Sequence, residues 1–507
     1  MARCPPERPA LKNVLLVVLS IVLSVAVAEA VVRYIDGYPV LAMPLGNPAD
    51  GATVSAAQLD RIPLTPGVER QWFFDDPPPL PNRRAVTDEW QRLFRHIEQN
   101  PVGGLDFRPP DVFKAWNSAF IGGDPCKHPF LRHAPGQLWV YDPPDGQPTP
   151  PYRYLPDVTL PNRLVTNQMG WRGPPIDVPR GERAIRIVFV GASTTLGGPH
   201  LPFSYPELVG YWLNLWARSK KLDVRFEALN AGRESIVSTD IAAVVRTEVL
   251  PLRPDLVVYY EGGNQFRPQS IAEGLAATQP ASVHTAADNE ALWLQQAARY
   301  SALAARIRAA SGLTDSRRDG RESAKPDYRV VWPAGLDETD PDLAYPKLPV
   351  SLNVILADLD RIRAELATIG SDFAVSSFLW MVKDGMVLDP VRHRFIHEQL
   401  NVGNFPYRYR DLERLSHFQN RVLAKYAKAH GIGFIDTARF VPLEPDLFVD
   451  AVHTNYAGLR LQAWVAFNQM LPIVEKHLAD RSWPRPRDAD PPPLPTITPR
   501  KITVDCR

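Results

Sequence analysis

The chain has 507 residues, 45% hydrophobic and 22% charged, as in a globular protein with room for a large core and more than one domain. Its formal net charge of +1 argues against a nucleic-acid binder, since neutralising phosphates needs a clear basic excess. The compositional outlier is proline, 52 residues or roughly twice the average usage, gathered before residue 182 and after residue 482.

The N-terminus reads as a targeting segment. Arg3, Arg8 and Lys12 precede an apolar run from Val14 to Ala28, interrupted only by Ser20 and Ser24. Ala30 to Val32 extend it past Glu29, which brings the run to about the 20 residues that a spanning helix needs. The basic flank puts the N-terminus inside and the rest outside. Residues 1–33 are then a signal anchor, or a signal peptide cut after the small-x-small site Ala26-Val27-Ala28. Either way the chain is exported: membrane-anchored with the remainder periplasmic or extracellular, or secreted if the leader is cleaved. Cys4, Cys126 and Cys506 show no metal-ligand spacing. Outside the cytoplasm a Cys126–Cys506 disulfide is permitted, and two free thiols are the alternative.

Residues 34–183 read as a Pro-rich, irregular membrane-proximal region, densest at Asp75 to Pro81. Within it we expect a helix over 88–99, with Trp90, Leu93, Phe94 and Ile97 on one face, and a short strand over 137–141. From Ala184 strands and helices alternate. Ile185 to Val190 is an apolar, β-branched run that ends in Gly191-Ala192-Ser193. Ser204 and Glu207 form a capping box for a helix carrying Leu208, Trp212, Leu215 and Trp216 inward. Further strands are expected at 224–228, 256–260, 373–380 and 432–435, with helices at 241–249, 354–369, 412–430 and 456–477. This alternation predicts an α/β fold, a parallel five-stranded sheet sandwiched by helices. Residues 265–352 form a long insertion with a helix over 289–310 and a mobile linker at Arg317 to Arg321; we expect the helix to cover the cleft and shape its pocket. The Pro-rich tail 481–507 is expected to lie over the surface.

Parallel strands gather their C-terminal tips on one edge, where ligands sit. That edge would bring Ser193 together with Gly232, in Asn230-Ala231-Gly232-Arg233, and with Asn264, in Glu261-Gly262-Gly263-Asn264. Asp450-Ala451-Val452-His453, between the fifth strand and the last helix, can close the site. Each block has a bland alternative: Ser193 as a helix cap, the glycines as turn residues, Asn264 as a cap, Asp450 as a solvated loop residue, and His453 with Thr454 as the cap of the final helix. His200 is a rival base more suited to lining a loop, and His393 and His397 read as surface residues. Neither a zinc-type cluster nor a phosphate loop is present in the sequence.

The ordered set Gly191-x-Ser193, Gly232, Gly262-x-Asn264 and Asp450-x-x-His453 resembles the SGNH/GDSL hydrolase superfamily, in particular its bacterial, membrane-associated members. The resemblance spans about residues 184–478 and departs at Ala192, where many members carry Asp. Asn167 to Gly173 also looks like a segment that precedes the domain in some exported members, although a plain turn explains it as well. What the resemblance implies is a flavodoxin-like SGNH hydrolase fold over 184–480. It further implies Ser193, Asp450 and His453 as the catalytic set, and an oxyanion hole made by the N–H groups of Ser193 and Gly232 and the amide of Asn264. A serine hydroxyl needs a neighbouring base to become a nucleophile, an imidazole serves near neutral pH, and a carboxylate holds its tautomer. The expectation is a serine esterase that needs no cofactor or metal and acts on an acyl ester, acetyl or other short chain, with a glycan-linked ester among the candidates. An O-acetyltransferase acting on envelope or extracellular glycan, or a non-catalytic envelope-binding protein with the same shell, are the alternatives.

Overall fold

A computed structural model describes residues 9–41, 52–80, 164–198, 201–275, 292–311, 320–389 and 391–486, with short pieces of the intervening segments and of the tail. The central sheet holds β1 (Ala184–Gly191), β2 (Arg225–Asn230), β3 (Leu256–Tyr260), β4 (Asp372–Ser376) and β5 (Gly433–Ile435). All four pairings are parallel and the spatial order is 2-1-3-4-5, the flavodoxin-like arrangement. Every residue of β1 and β3 is buried. A parallel strand covered on both faces reads as a near-continuous apolar run, as at 187–190 and 256–260, and the buried Arg186 of β1 is paired with Glu227 at 2.9 Å.

Helices cover both faces. On one side α3 (Tyr205–Ser219) packs against α9 (Tyr456–Ala479), where Trp212 and Trp464 meet edge to face at 4.9 Å. On the other side lie α4 (Ser238–Val244), α7 (Leu352–Thr368) and α8 (Tyr409–His430). The capping box of Ser204 and Glu207 opens α3 as expected, and Gly431, at φ +62°, ends α8. Strand β4 stops at Ser376, four residues before the expected end, because the chain leaves the sheet there to build loops at its C-terminal edge. The helix expected over 241–249 begins at Ser238, and its last turn, 245–249, widens to a π-turn.

Part of the Pro-rich N-terminal region belongs to this core. Phe73 stacks on Trp212 with centroids 6.1 Å apart, the Trp212 indole donates to the Trp72 carbonyl, and Arg460 of α9 binds the Phe73 carbonyl. Leu59 and Ile62 are buried against the same layer. The helix expected over 88–99 lies largely outside the described residues. The strand at 137–141 is present and pairs antiparallel with Pro499–Thr503, so the tail supplies a strand and is not only a surface strap. Cys126 is disulfide-bonded, its partner outside the described residues.

α1 (Pro9–Asp36) projects from the domain, with none of its most apolar window buried. The insertion differs from expectation in two ways. Its helix is broken at Ser301 into α5 (Leu292–Tyr300) and α6 (Ala302–Ser311), and this pair docks on the end of α1, away from the cleft. From Gly320 onward the supposed mobile linker is anchored: Gly320 exchanges backbone contacts with Leu388, and the Glu322 carboxylate accepts the N–H of Tyr409 at 2.7 Å. Residues 312–319 lie outside the described set.

Candidate active site

The site forms where strand order reverses, between β1 and β3, the usual crevice for ligands in an open parallel sheet. Gly191 ends β1 because no side chain fits there: a Cβ would strike the Thr195 side chain and the Tyr260 carbonyl. The chain then turns into α2 (Ser193–Leu196). Ala192, fully buried, is its N-cap and offers no side-chain cap, while its carbonyl accepts the N–H groups of Thr195 and Leu196. Ser193 is the first helical residue, so its own N–H has no intrahelical acceptor.

His453 Nε2 lies 2.7 Å from Ser193 Oγ. On its other side Nδ1 lies 2.8 Å from Asp450 Oδ2 and 3.0 Å from Oδ1. The three-residue spacing has a mechanical cause. Asp450 Oδ1 also accepts the N–H groups of Val452 at 2.9 Å and His453 at 2.8 Å, so one carboxylate both folds the loop and holds the ring. Burial pushes the Asp450 carboxyl up, but the His453 charge, its hydrogen bond and the two N–H groups outweigh it and hold Asp450 below the ordinary range. An ionised Asp450 accepts from Nδ1–H and leaves Nε2 to accept from Ser193. The cap of α9 is Asn455, whose side chain accepts the N–H of Gly458, so His453 and Thr454 are not needed there.

Asn264 follows β3. Its amide donates to the Ile236 carbonyl at 2.7 Å, which fixes its orientation and leaves a second N–H. Its backbone N–H donates to Glu261 Oε1 at 2.7 Å. Glu261 is fully buried; desolvation pushes it up to about 7, against the N–H groups of Asn264, Gly263 and Gly262 and the charge of His453. Gly232 N–H donates to Asn230 Oδ1 at 3.0 Å, so this third donor is engaged in the structure. The glycine itself is required by packing: a Cβ would stand 2.5 Å from the backbone nitrogen of Leu196. The reason is close approach to the turn that begins at Ser193.

A further residue was not singled out in the sequence. Arg172, in the turn of Asn167 to Gly173, is buried behind the turn that follows Ser193. Its guanidinium donates to the carbonyls of Leu196, Gly197, Gly198 and Leu201, and pairs with Glu207 at 3.1 Å. Asn167 Oδ1 shapes the turn by accepting the N–H groups of Met169 and Trp171. Next to Gly232, Arg233 joins Arg153 on the buried carboxylate of Glu248.

A cavity of about 450 Å3 opens beside the triad, lined among others by Asn264, Arg267, Trp380, Gln399, Asn404 and Val452. None of its lining comes from α5 or α6, which corrects the expected cleft cover. His200 lies outside the described residues. His393, half-buried, accepts the N–H of Asp389 on Nδ1 and meets Asp446 through Nε2 at 2.9 Å. His397 is a core residue, 1% exposed, not a surface one, because its helix is pinned beneath the segment after Gly320. Among the described residues no group of three or more His, Cys, Asp or Glu is placed to hold a metal ion.

No family model and no curated protein matches the sequence. Solved structures do. An acetylxylan esterase from Geobacillus stearothermophilus is 16% identical with a TM-score of 0.30, covering 57% of this chain and 96% of that one. The acetyl xylan esterase AlAXEase gives 14%, 0.30, 57% and 100%. A lipase/acylhydrolase from Enterococcus faecalis gives 13%, 0.30, 57% and 96%. At such identities and scores, function must be read from the chain's own geometry.

Proposed function

We propose that this protein is an exported, membrane-anchored serine ester hydrolase of the SGNH/GDSL type. The observation that carries the reading is the continuous chain Ser193 Oγ, His453 Nε2, His453 Nδ1 and Asp450, beside the orienting amide of Asn264. In this reading His453 takes the Ser193 proton as Oγ attacks the acyl carbon. The resulting oxyanion is met by the Ser193 N–H and the free Asn264 N–H, with Gly232 N–H joining if it leaves Asn230. His453 then gives its proton to the departing alkoxide, and water repeats the sequence on acyl-Ser193 to release the acid.

The adjoining cavity presents Arg267, Gln399 and Asn404 together with the ring of Trp380, a lining suited to a polyhydroxylated alcohol. A carbohydrate hydroxyl seated there in place of water would make the same acyl-enzyme a transferase. The test is turnover of a p-nitrophenyl acyl series by the full chain, with Ser193→Ala and His453→Ala as controls. Short-chain hydrolysis abolished by both changes supports the esterase; a rise in turnover with added oligosaccharide acceptor favours transfer. No turnover together with no labelling of Ser193 by a fluorophosphonate probe overturns both.

A further inference from the structure

The apolar helix α1 and the insertion helices α5 and α6 are built into one unit. The Glu29 carboxylate accepts the N–H groups of Ala302 and Leu303 and the Ser301 hydroxyl, so a residue inside the apolar run caps α6. Arg33 donates to the Tyr300 carbonyl at 2.6 Å, and Arg306 grips Asp36. Capping by Glu29, together with the Ser301 hydroxyl that accepts the Ala304 N–H, ends one insertion helix and begins the next at Ser301. At 1.5 Å per residue, Glu29 stands only about 5 Å below Val32, the end of the apolar run. If α1 spans a bilayer, the elbow between α5 and α6 therefore stands at the level of the headgroups.

Its exposed side chains suit that level. Trp293 and Tyr300, seven residues apart and so on one face of α5, are 70% and 47% exposed. Ile307 of α6, Tyr34 and Ile35 of α1, and Leu41 and Met43 just beyond it are exposed as well. Exposed large apolar and aromatic side chains gathered around the end of a spanning helix have the composition of an interfacial belt.

We propose that α5 and α6, with Leu41 and Met43, form a collar that lies in the phospholipid headgroup layer. Its occupant is a bilayer surface, because the collar continues the exposed apolar surface of α1. This rests on the reading of α1 as an anchor, and the test separates the two. A fluorescent amino acid is placed at Val18, Trp293 or Asp223 in the full chain, reconstituted in phosphatidylcholine–phosphatidylglycerol vesicles. Quenchers are carried either deep in the acyl chains or near the headgroups. The expected result is loss of emission at 18 with deep quencher, at 293 with shallow quencher, and at 223 with neither. Quenching at 18 while 293 behaves like 223 overturns the collar and leaves the anchor standing. No quenching at any position overturns both. A blue-shifted emission at 293 without lipid quenching, dependent on protein-to-lipid ratio, overturns the lipid assignment in favour of a second copy of the chain.

Discussion

The two halves of the site are held in different ways. The base half, Asp450 to Asn455, is mainly local: one carboxylate receives two N–H groups and the imidazole from within three residues, Asn455 ties the loop back to Asp446, and the Ala451 backbone is bonded to distant residues, Gln399 and Met381. The acceptor half, Ser193 with Asn264 and Gly232, is held from a distance. Arg172 threads the turn after the nucleophile, Ile236 orients Asn264, and Gln419 of α8 binds the Gly262 carbonyl at 2.7 Å. A mainly local half changes chiefly through its own few residues, whereas a remotely wired half is more open to damage by residues that touch no substrate.

Breaking the base half should give the largest effects. Ser193→Ala or His453→Ala is expected to lower kcat on the order of 10^6-fold, measured on a short-chain p-nitrophenyl ester, with unchanged thermal unfolding. Asp450→Asn should cost roughly 10^4-fold, because an amide can favour the wrong imidazole tautomer. The larger the part of that loss recovered at high pH, the more of it belonged to charge and the less to tautomer.

The remote half offers two tests of a different kind. Arg172→Ala removes one member of a buried ion pair and leaves Glu207 and four carbonyls to find other partners, for a stability loss of about 3 to 5 kcal/mol by urea unfolding. Its kcat should fall too, although Arg172 cannot reach substrate. A stable Arg172→Ala protein with normal kcat would show that the nucleophile turn holds itself. Asn264→Ala should lower kcat by roughly 10^2 to 10^3 with little change in KM, since the donor acts on charge that develops only in the transition state.

The same contrast explains what could be read from the residues alone. Strands β1 and β3 stand out because a doubly covered parallel strand is a near-continuous apolar run, and Asp450-x-x-His453 stands out because its geometry is its spacing. Arg172 does not, since its partners are carbonyl oxygens, which any residue supplies. The break at Ser301 is half legible: a serine there caps α6 by accepting the Ala304 N–H, but its second cap, Glu29, lies far upstream in an apolar run. The need for glycine at 232 is hidden as well, because the neighbour that forbids a side chain, Leu196, is set by tertiary packing. The pairing of 137–141 with 499–503 joins segments that give no local sign of each other.

The smallest expected effect is a pH dependence that separates the halves. Glu261, raised from 4.5 to about 7, binds its proton more tightly in the folded chain than in the unfolded one. The stability this provides is fully present below the unfolded value of 4.5 and is lost as pH rises toward about 7, after which no more is lost. Asp450, held below its ordinary 3.8, has the opposite sign: its contribution is present above that value and lost only as pH falls through the lower folded one. The two windows do not overlap. Glu261→Gln keeps a carbonyl oxygen to accept the Asn264 N–H and has no charge to desolvate, so urea midpoints between pH 5 and 8 should fall less steeply than in the parent chain. Parallel slopes for the two proteins would mean that Glu261 is solvated as the structure does not show, and that the loop carrying Asn264 is held by Gln419 and Ile236 without it.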